Sequence, residues 1–324
     1  MNILICGGAG YIGSHMAKML AGRDHEVTVF DNLSTGHREA VKWGKFVQGD
    51  LLNQDDLRGL FAGGQFDAVM HFSAKSLVGE SVAHPGLYYS NNVTGTLNLL
   101  DIMLEHGVKK FVFSSSAATF GVPVKDLIDE SHPQNPINPY GETKLMVERI
   151  LRDYGAAYGL SSVSLRYFNA AGADPEGEIG ESHQPESHLI PNVLKSVLAD
   201  NARLKVFGDD YETKDGTCVR DYIHINDLCT AHMQAIEYME SNRGAAGFNL
   251  GNGLGFSIFD IIQAAERVTG KTIPYDVQAR RPGDPPVLVA DSSLARKELG
   301  WAPRYTGIDG IIETAWRWHR GQKY

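Results

Sequence analysis

A tyrosine and a lysine four positions apart, Tyr140 and Lys144, form the pair best suited to acid–base chemistry in this chain. Residues at i and i+4 lie on one face of a helix. A free phenol has a pKa of about 10 and is a poor base at neutral pH, but a neighbouring positive charge favours the phenolate and lowers that pKa. Such a pair could take a proton from a substrate hydroxyl. The same spacing is also typical of two ordinary exposed helix residues.

A run of three hydroxyls, Ser114-Ser115-Ser116, directly follows the apolar segment 109–113. Open α/β sheets bind ligands at the carboxyl ends of their strands. The run could therefore place a hydroxyl beside Tyr140, although a polar turn after a strand would look the same.

A glycine turn supplies the third signal, because Gly7, Gly10 and Gly13 follow the apolar segment 2–6 and open a helical segment. Such a turn lets the backbone approach a pyrophosphate, while the helix N-terminus supplies N–H donors. No Lys-Ser/Thr pair closes the motif, so it is not a P-loop. Asp31 ends the next apolar run, where a carboxylate binds an adenosine ribose and favours NAD over NADP. A turn or helix-capping aspartate is the alternative for this residue.

The elements that must position these residues alternate between short β-rich and helical segments in the first half, which predicts βαβ units. The predicted fold is α/β, a Rossmann-like doubly wound parallel sheet with a smaller mixed α/β C-terminal substrate lobe. Residues 1–168 are assigned to the NAD-binding domain, to which some later segments return, and residues 169–324 to the substrate lobe. Strands are predicted at 2–6, 26–30, 45–48, 66–72, 109–114, 162–167, 205–207, 248–250 and 287–290, and helices at 13–21, 89–105, 140–158 and 188–199.

Composition excludes several classes of protein. The net charge of −9 over 324 residues disfavours nucleic-acid binding, so a phosphate ligand must be captured by a few placed Arg or Lys residues. Neither a membrane span nor a secretory signal is predicted. Cys6, Cys218 and Cys229 form no CxxC pair, so free thiols in a reducing cytoplasm are expected and no metal site is predicted.

The chain resembles the UDP-glucose (UDP-galactose) 4-epimerases of the extended short-chain dehydrogenase/reductase family, from residue 2 to about residue 301. The similar segments are GGAGYIGSH, DNLSTGH, SSSAATFG, PYGETK, RYFNAAGA, HLIP, GTCVRDYIHINDL and RRPGDPP. The chain differs from many members at Phe120, where they have Tyr, and at Ser76, where some have Lys.

The resemblance implies that Tyr140 is the catalytic acid/base, that Lys144 holds the nicotinamide ribose and lowers the Tyr140 pKa, and that Ser116 binds the reacting sugar oxygen. The resemblance and the topology together give NAD the residues Gly7, Gly10, Tyr11, Ile12, Gly13, Asp31, Asn32, Asp50, Leu51, Phe72, Ser73, Ala74, Asn92, Tyr140, Lys144 and Tyr167.

For the UDP-sugar, the resemblance implies that Arg220 and Arg281 pair with the phosphates. Without it, Arg220 would be expected in a salt bridge with Asp221 or Asp227, and Arg281 would be a solubilising surface residue. The remaining substrate residues are Asn169 at the diphosphate, Asp284 at the uridine ribose, Phe207 near the uracil, and Ser116, His188 and Leu189.

The implied activity is reversible 4-epimerisation of a UDP-hexose through a 4-keto sugar, in a homodimer formed by helices 89–105 and 140–158. A 4-epimerase preferring UDP-GlcNAc or a UDP-pentose is the main alternative. Some members have a bulky Tyr near Leu288 and smaller residues there accompany acceptance of N-acetylated sugars, so the resemblance implies that UDP-GlcNAc is tolerated. A nucleotide-sugar dehydratase or decarboxylase is a further alternative, but dehydration would need acidic groups where this chain has Ala117 and Ala118. A non-catalytic NAD sensor generally lacks the Tyr or the Lys.

Overall fold

The computed structural model describes residues 1–199, 202–281 and 284–324, so Pro282 and Gly283 of the RRPGDPP segment lie outside the described residues. The strands are β1 Asn2–Cys6, β2 Glu26–Asp31, β3 Lys45–Gln48, β4 Ala68–His71, β5 Lys110–Ser116, β6 Ser161–Tyr167, β7 Asn169–Ala171, β8 Leu204–Phe207, β9 Val219–Arg220, β10 Tyr222–His224, β11 Ala245–Leu250, β12 Phe256–Ser257, β13 Tyr275–Gln278 and β14 Val287–Leu288. The α-helices are α1 Tyr11–Ala21, α2 Gln54–Ala62, α3 Val78–Ala83, α4 Pro85–Tyr88, α5 Gly95–Glu105, α6 Pro139–Tyr158, α7 Leu189–Leu198, α8 Ile225–Ser241, α9 Ile258–Thr269, α10 Ser293–Leu299 and α11 Ile308–Arg320.

Among the described residues, seven strands form one sheet in the order β11-β6-β5-β4-β1-β2-β3, and every neighbouring pair is parallel. The predicted Rossmann-like parallel sheet is thereby confirmed. Strand β11 lies in this sheet although it comes late in the chain.

Both faces of the sheet are covered, and the alternation of side chains along β1 shows how. Ile3 and Ile5 pack into one core, whereas Leu4 and Cys6 pack into a second core on the opposite face. Helices α1 and α8 contribute to the first core, and α2, α5 and α6 contribute to the second. Successive residues of a strand point to opposite faces, so a strand buried on both sides must be apolar throughout.

A third core lies in the C-terminal part of the chain, where α7, α9 and α11 pack together. Three small sheets accompany it, with the strand orders β12-β9-β14, β13-β8 and β10-β7. This mixed arrangement agrees with the predicted mixed α/β lobe.

Several predicted boundaries differ from the observed ones. Helix α1 begins at Tyr11 rather than at residue 13, because Gly10 is already its N-cap. The predicted helix 89–105 consists of a π-helical turn at Tyr89–Thr94 followed by α5. Strand β4 covers Ala68–His71 rather than 66–72, and β14 ends at Leu288 because the chain then turns to bridge Ala290 to Ile128.

No helix in the described part of the chain combines the length and the apolarity that crossing a membrane requires.

Candidate active site

The start of helix α6 positions Tyr140 and Lys144. The Asn138 side chain caps the helix by accepting a hydrogen bond from the Gly141 N–H at 2.9 Å, and Pro139 occupies the first helical position. Both residues are typical of helix N-termini, which explains why this boundary is readable from the sequence. Tyr140 therefore lies in the first turn, and Lys144 lies one turn later on the same face.

Lys144 is buried beneath the carboxyl end of β5. Its Nζ donates a hydrogen bond to the Ser114 carbonyl at 2.7 Å and lies 4.8 Å from the centre of the Phe113 ring. Burial lowers the pKa of Lys144 to about 7, although the Glu148 carboxylate acts in the opposite direction. The side chain can therefore exist in either protonation state near neutral pH.

Tyr140 is half-buried and forms a hydrogen bond with Ser116. Burial raises the pKa of the Tyr140 phenol above its ordinary value, and the bond to Ser116 only partly opposes that rise. The expected lowering by Lys144 is not found in the protein alone. The reason is geometric, because the Lys144 ammonium is turned towards the Ser114 carbonyl and lies 5.8 Å from the centre of the Tyr140 ring.

A buried ion pair beneath this cluster was missed by the sequence analysis. The Arg166 guanidinium on β6 forms a bidentate ion pair with the Glu148 carboxylate. Nε donates to Oε1 at 2.9 Å and Nη2 donates to Oε2 at 2.7 Å. The Ser115 hydroxyl donates to the same carboxylate at 2.6 Å, and the Arg166 guanidinium lies 5.6 Å from the buried Phe120 ring. The signal that could have found Glu148 is its position four residues after Lys144, on the same helix face.

The glycine turn has the close packing that a dinucleotide-binding turn requires. Gly7 has a φ of +81°, and a Cβ on Gly13 would lie 2.2 Å from the Gly7 carbonyl oxygen. A Cβ on Gly10 would meet only the Gly7 oxygen, at 3.4 Å. The first turn of α1 has no side-chain cap and no acidic residue, so its N–H groups are available to an anion.

Asp31 connects the end of β2 to this turn. Its carboxylate accepts hydrogen bonds from the Ala9 N–H at 3.0 Å and the Leu33 N–H at 2.8 Å. The bond to Leu33 is the turn-capping contact named above as the alternative, and the bond to Ala9 places the same carboxylate against the glycine turn. Burial raises the pKa of Asp31, and the two N–H bonds oppose the rise.

The other residues assigned to NAD surround the same edge of the sheet. The Asn32 amide donates to Asp50 at 2.9 Å, and Tyr11 donates to the Gly172 carbonyl at 2.7 Å. Buried Asn92 bonds the backbone of residue 75 and also the Thr143 hydroxyl, so it joins the loop after β4 to helix α6. Tyr167 forms a hydrogen bond with the Ser114 hydroxyl, and the backbone nitrogen of Ser73 packs against Gly7. The Phe72 ring lies beside the His232 ring. Leu51 is buried in the core, whereas Ile12 and Ala74 are half-buried.

A cavity of about 590 Å³ lies in the C-terminal part of the chain. Its lining includes all the proposed substrate residues except Ser116, namely Asn169, His188, Leu189, Phe207, Arg220, Arg281 and Asp284. Ser116 belongs to the Tyr140 cluster instead. The two groups are linked through the sheet, because Ser116 pairs with Tyr167 and Asn169 follows two residues later.

The charged groups of the cavity are arranged across segments far apart in sequence. Arg220 forms an ion pair with Asp284, and the Arg281 guanidinium lies 4.2 Å from the centre of the Phe207 ring. The suggested salt bridge of Arg220 with Asp221 or Asp227 is therefore wrong. Both of those carboxylates accept hydrogen bonds from backbone N–H groups, including those of residues 252, 253, 304 and 305.

His188 lies at the edge of the same cavity, with its Nδ1 2.7 Å from Glu181 and 3.3 Å from Glu186. Burial alone would lower the pKa of His188, but the two carboxylates outweigh it and raise the pKa to about 10. Leu288 pairs with Arg220 in the β14–β9 register, beside the cavity. The tolerance of UDP-GlcNAc that Leu288 suggested for this protein stays a prediction.

The fold and this site are those of a dinucleotide-dependent enzyme. Residues 3–251 match the model of the NAD dependent epimerase/dehydratase family, and the chain belongs to this family.

Relatives with a known assignment cover nearly the whole chain. The UDP-glucose 4-epimerase of Halalkalibacterium halodurans is 52% identical over 99% of this chain and 96% of its own length. Among solved structures, UDP-glucose 4-epimerase from Brucella ovis in complex with NAD has a TM-score of 0.93 and 52% identity, covering 97% of each chain. The enzyme from Bifidobacterium longum in complex with NAD+ and UDP has a TM-score of 0.94 and 38% identity, covering 99% of each chain.

Proposed function

We propose that this chain is an NAD-dependent UDP-glucose 4-epimerase that interconverts UDP-glucose and UDP-galactose through a transient 4-keto sugar. The observation that carries the proposal is the cluster of Ser116, Tyr140 and Lys144 at the end of β5, connected through β6 to a cavity that contains two arginines. The names of the relatives at about half identity over nearly full length support the same reaction.

The glycine turn fits a bound NAD. The N-terminus of α1 at Gly10 would hold the pyrophosphate, and Asp31 would accept hydrogen bonds from the adenosine ribose. NAD held there would supply a hydride acceptor and then a hydride donor for C4 of the sugar, with no net redox change over the cycle. The positive charge of its nicotinamide also favours the phenolate form of Tyr140.

The residues of the chain handle the proton. Tyr140 takes the proton of the sugar 4-hydroxyl and returns it to the same oxygen once the hydride is delivered to the opposite face of C4, with Ser116 hydrogen-bonded to that oxygen. Lys144, whose pKa burial lowers to about 7, can share this proton near neutral pH when it turns from Ser114 towards the phenol. A hydroxyl at the end of β5, together with a phenol and an amine one turn apart on α6, is sufficient for reversible proton transfer at one oxygen.

The cavity anchors the nucleotide. Arg220 and Arg281 supply paired N–H donors for the diphosphate, and Asp284, which pairs with Arg220 in the protein alone, turns to the uridine ribose. Asn169 lies between the two groups of residues and contacts the diphosphate. Firm binding of UDP with few contacts to the hexose lets the 4-keto sugar rotate and present its other face.

The competing functions are disfavoured by particular residues. Dehydration needs an acid/base pair near C5 and C6 of the sugar, and the residues after Ser116 are Ala117 and Ala118. A non-catalytic NAD sensor has no use for a buried lysine beside a hydrogen-bonded tyrosine, and both Tyr140 and Lys144 have these environments.

The test is turnover of UDP-galactose by the purified chain, with products separated by chromatography, with and without added NAD. Wild type should form UDP-glucose. Tyr140→Phe should lose about 10²- to 10⁴-fold in kcat, since it lacks the proton-carrying oxygen, while its affinity for UDP is unchanged by calorimetry. Absence of turnover even with NAD would overturn the proposal, and unchanged activity of Tyr140→Phe would overturn the role of Tyr140.

The proposal extends to the setting of the enzyme. Residues 1–168 with β11 would bind NAD, and most of residues 169–324 would bind the UDP-sugar. Helices α5 and α6, which the Tyr154–Asp101 hydrogen bond joins, would form the homodimer interface, and light scattering at micromolar concentration tests this. The free and buried cysteines support a reducing cytoplasmic location.

A further inference from the structure

Segment 181–188, with the sequence ESHQPESH, lies at the edge of the substrate cavity directly before helix α7. It brings two imidazoles and two carboxylates together within eight residues, although no metal site is predicted from the sequence. The donor atoms, one from each side chain, all lie within 4.8 Å of one another. We refer to these residues as the four-ligand cluster: Glu181, His183, Glu186 and His188.

The distances within the four-ligand cluster match a tetrahedral metal site. His188 Nδ1 lies 2.7 and 3.3 Å from the Oε1 atoms of Glu181 and Glu186, and His183 Nδ1 lies 3.2 and 3.9 Å from the same two atoms. Zinc bonds to nitrogen and carboxylate oxygen of about 2.0–2.2 Å place neighbouring ligands of a tetrahedron about 3.3–3.5 Å apart. The four observed separations fall around that value.

Hydrogen bonding alone does not account for the arrangement. His183 Nδ1 is buried and, among the described residues, makes no hydrogen bond by geometry, although it lies 3.2 Å from Glu181 Oε1. The Glu181 side chain is only 5% exposed, yet it faces both imidazoles. A buried carboxylate and a buried unpartnered nitrogen that point to one centre are what a cation would satisfy.

We propose that the four-ligand cluster binds a structural Zn²⁺ ion. Two imidazoles favour zinc over Mg²⁺ or Ca²⁺, which prefer oxygen ligands. Two carboxylates and one Zn²⁺ give a neutral site, and binding releases any proton held by the imidazoles. Four protein ligands leave no open position, so the ion is structural and takes no part in the reaction.

The position of the cluster tells what the ion would hold in place. Glu181 and His188 line the substrate cavity, and the Glu186 carboxylate is fixed by the backbone N–H groups of Ser187 and His188 at 2.9 and 3.0 Å, with Lys195 Nζ at 3.5 Å. Zinc would therefore hold the loop before α7 against the wall of the cavity, which Glu181 and His188 both line. Its removal should loosen that wall without touching Tyr140 or Lys144.

The experiment uses the full chain after treatment with a chelator, titrated with Zn²⁺ by calorimetry. We expect one Zn²⁺ per chain, a rise in Tm with Zn²⁺ and none with Mg²⁺, and visible absorption of tetrahedral Co²⁺ after cobalt substitution. His183→Gln should weaken Zn²⁺ binding by about 100-fold or more. The matched control is Glu176→Gln, from a second acidic group whose carboxylates are already paired with Lys18, and it should bind Zn²⁺ as wild type does.

His183→Cys keeps a ligand at this position, so it should retain Zn²⁺ and give Co²⁺ a thiolate absorption band in the near ultraviolet. This variant provides the test if His183→Gln does not fold. Absence of stoichiometric Zn²⁺ binding to the wild-type chain, unchanged binding in His183→Gln, or no thiolate band in His183→Cys would overturn the proposal. None of these readouts depends on sugar turnover, so they are independent of the proposed activity.

Discussion

The buried pair of Glu148 and Arg166 should contribute strongly to stability, and Glu148→Gln tests this. The exposed fractions of the two side chains are 8% and 11%, so removing the carboxylate charge leaves the guanidinium buried without a counter-charge. Breaking such a pair costs about 3–5 kcal/mol. Since glutamine keeps an oxygen that can accept from Ser115, we expect the lower end, about 3 kcal/mol of unfolding free energy.

The matched control is Glu240→Gln, which removes the same charge from an ion pair with Lys110 in which the Glu240 side chain is 58% exposed. Exposed pairs contribute about 0–1 kcal/mol, so this variant should be close to wild type. Both variants are unfolded in urea at equal protein concentration, and free energies are obtained by linear extrapolation.

A double variant distinguishes the uncompensated charge from a loss of packing. Arg166→Met in the Glu148→Gln background removes the unpaired guanidinium and keeps an apolar side chain against Phe120. We expect it to recover at least half of the lost stability. The reasoning is refuted if Glu148→Gln costs no more than Glu240→Gln, or if the second substitution lowers stability further.

Three other predictions concern the buried lysine, the glycine turn and the cavity. The pKa of Lys144 is lowered from 10.5 to about 7, so between these pH values the unfolded chain binds more protons at this residue and the stability of the fold rises with pH. Lys144→Met should reduce the dependence of the unfolding free energy on pH by up to about 1.4 kcal/mol per pH unit, measured by urea unfolding from pH 7 to 10. A pH dependence equal to that of wild type would contradict this. Gly13→Ala places a Cβ 2.2 Å from the Gly7 carbonyl oxygen, so it should lower Tm and abolish NAD retention. Gly10→Ala, whose Cβ would have its nearest contact at 3.4 Å, should keep the wild-type Tm. Equal Tm values in the two variants would contradict the steric explanation. Arg281→Ala should weaken UDP binding by about tenfold or more in calorimetry with an unchanged Tm, because its guanidinium is exposed and bonds no structural partner in the described residues; unchanged affinity would exclude it from the phosphate site.

Features that depend on interactions between residues close together in the chain could be predicted from the amino-acid sequence. The helix that carries Tyr140 and Lys144 was predicted to within one residue of its observed start, because the cap and proline that begin it are local signals. The glycine turn and Asp31 were identified from the order strand, turn, helix, strand, which the parallel sheet requires. Apolar runs gave the central strands because both faces of the sheet are buried.

Side-chain contacts between residues that are distant in the chain could not be predicted and are seen only in the folded structure. Arg220 pairs with Asp284 rather than with its neighbour in sequence, and Glu148 on helix α6 pairs with Arg166 on strand β6. The direction of the Tyr140 pKa also depends on burial, which spacing along a helix does not reveal. A helix or turn is set by contacts over a few residues, whereas a cavity lined by residues 169 to 284 forms only when separate segments pack, and no local pattern specifies that packing.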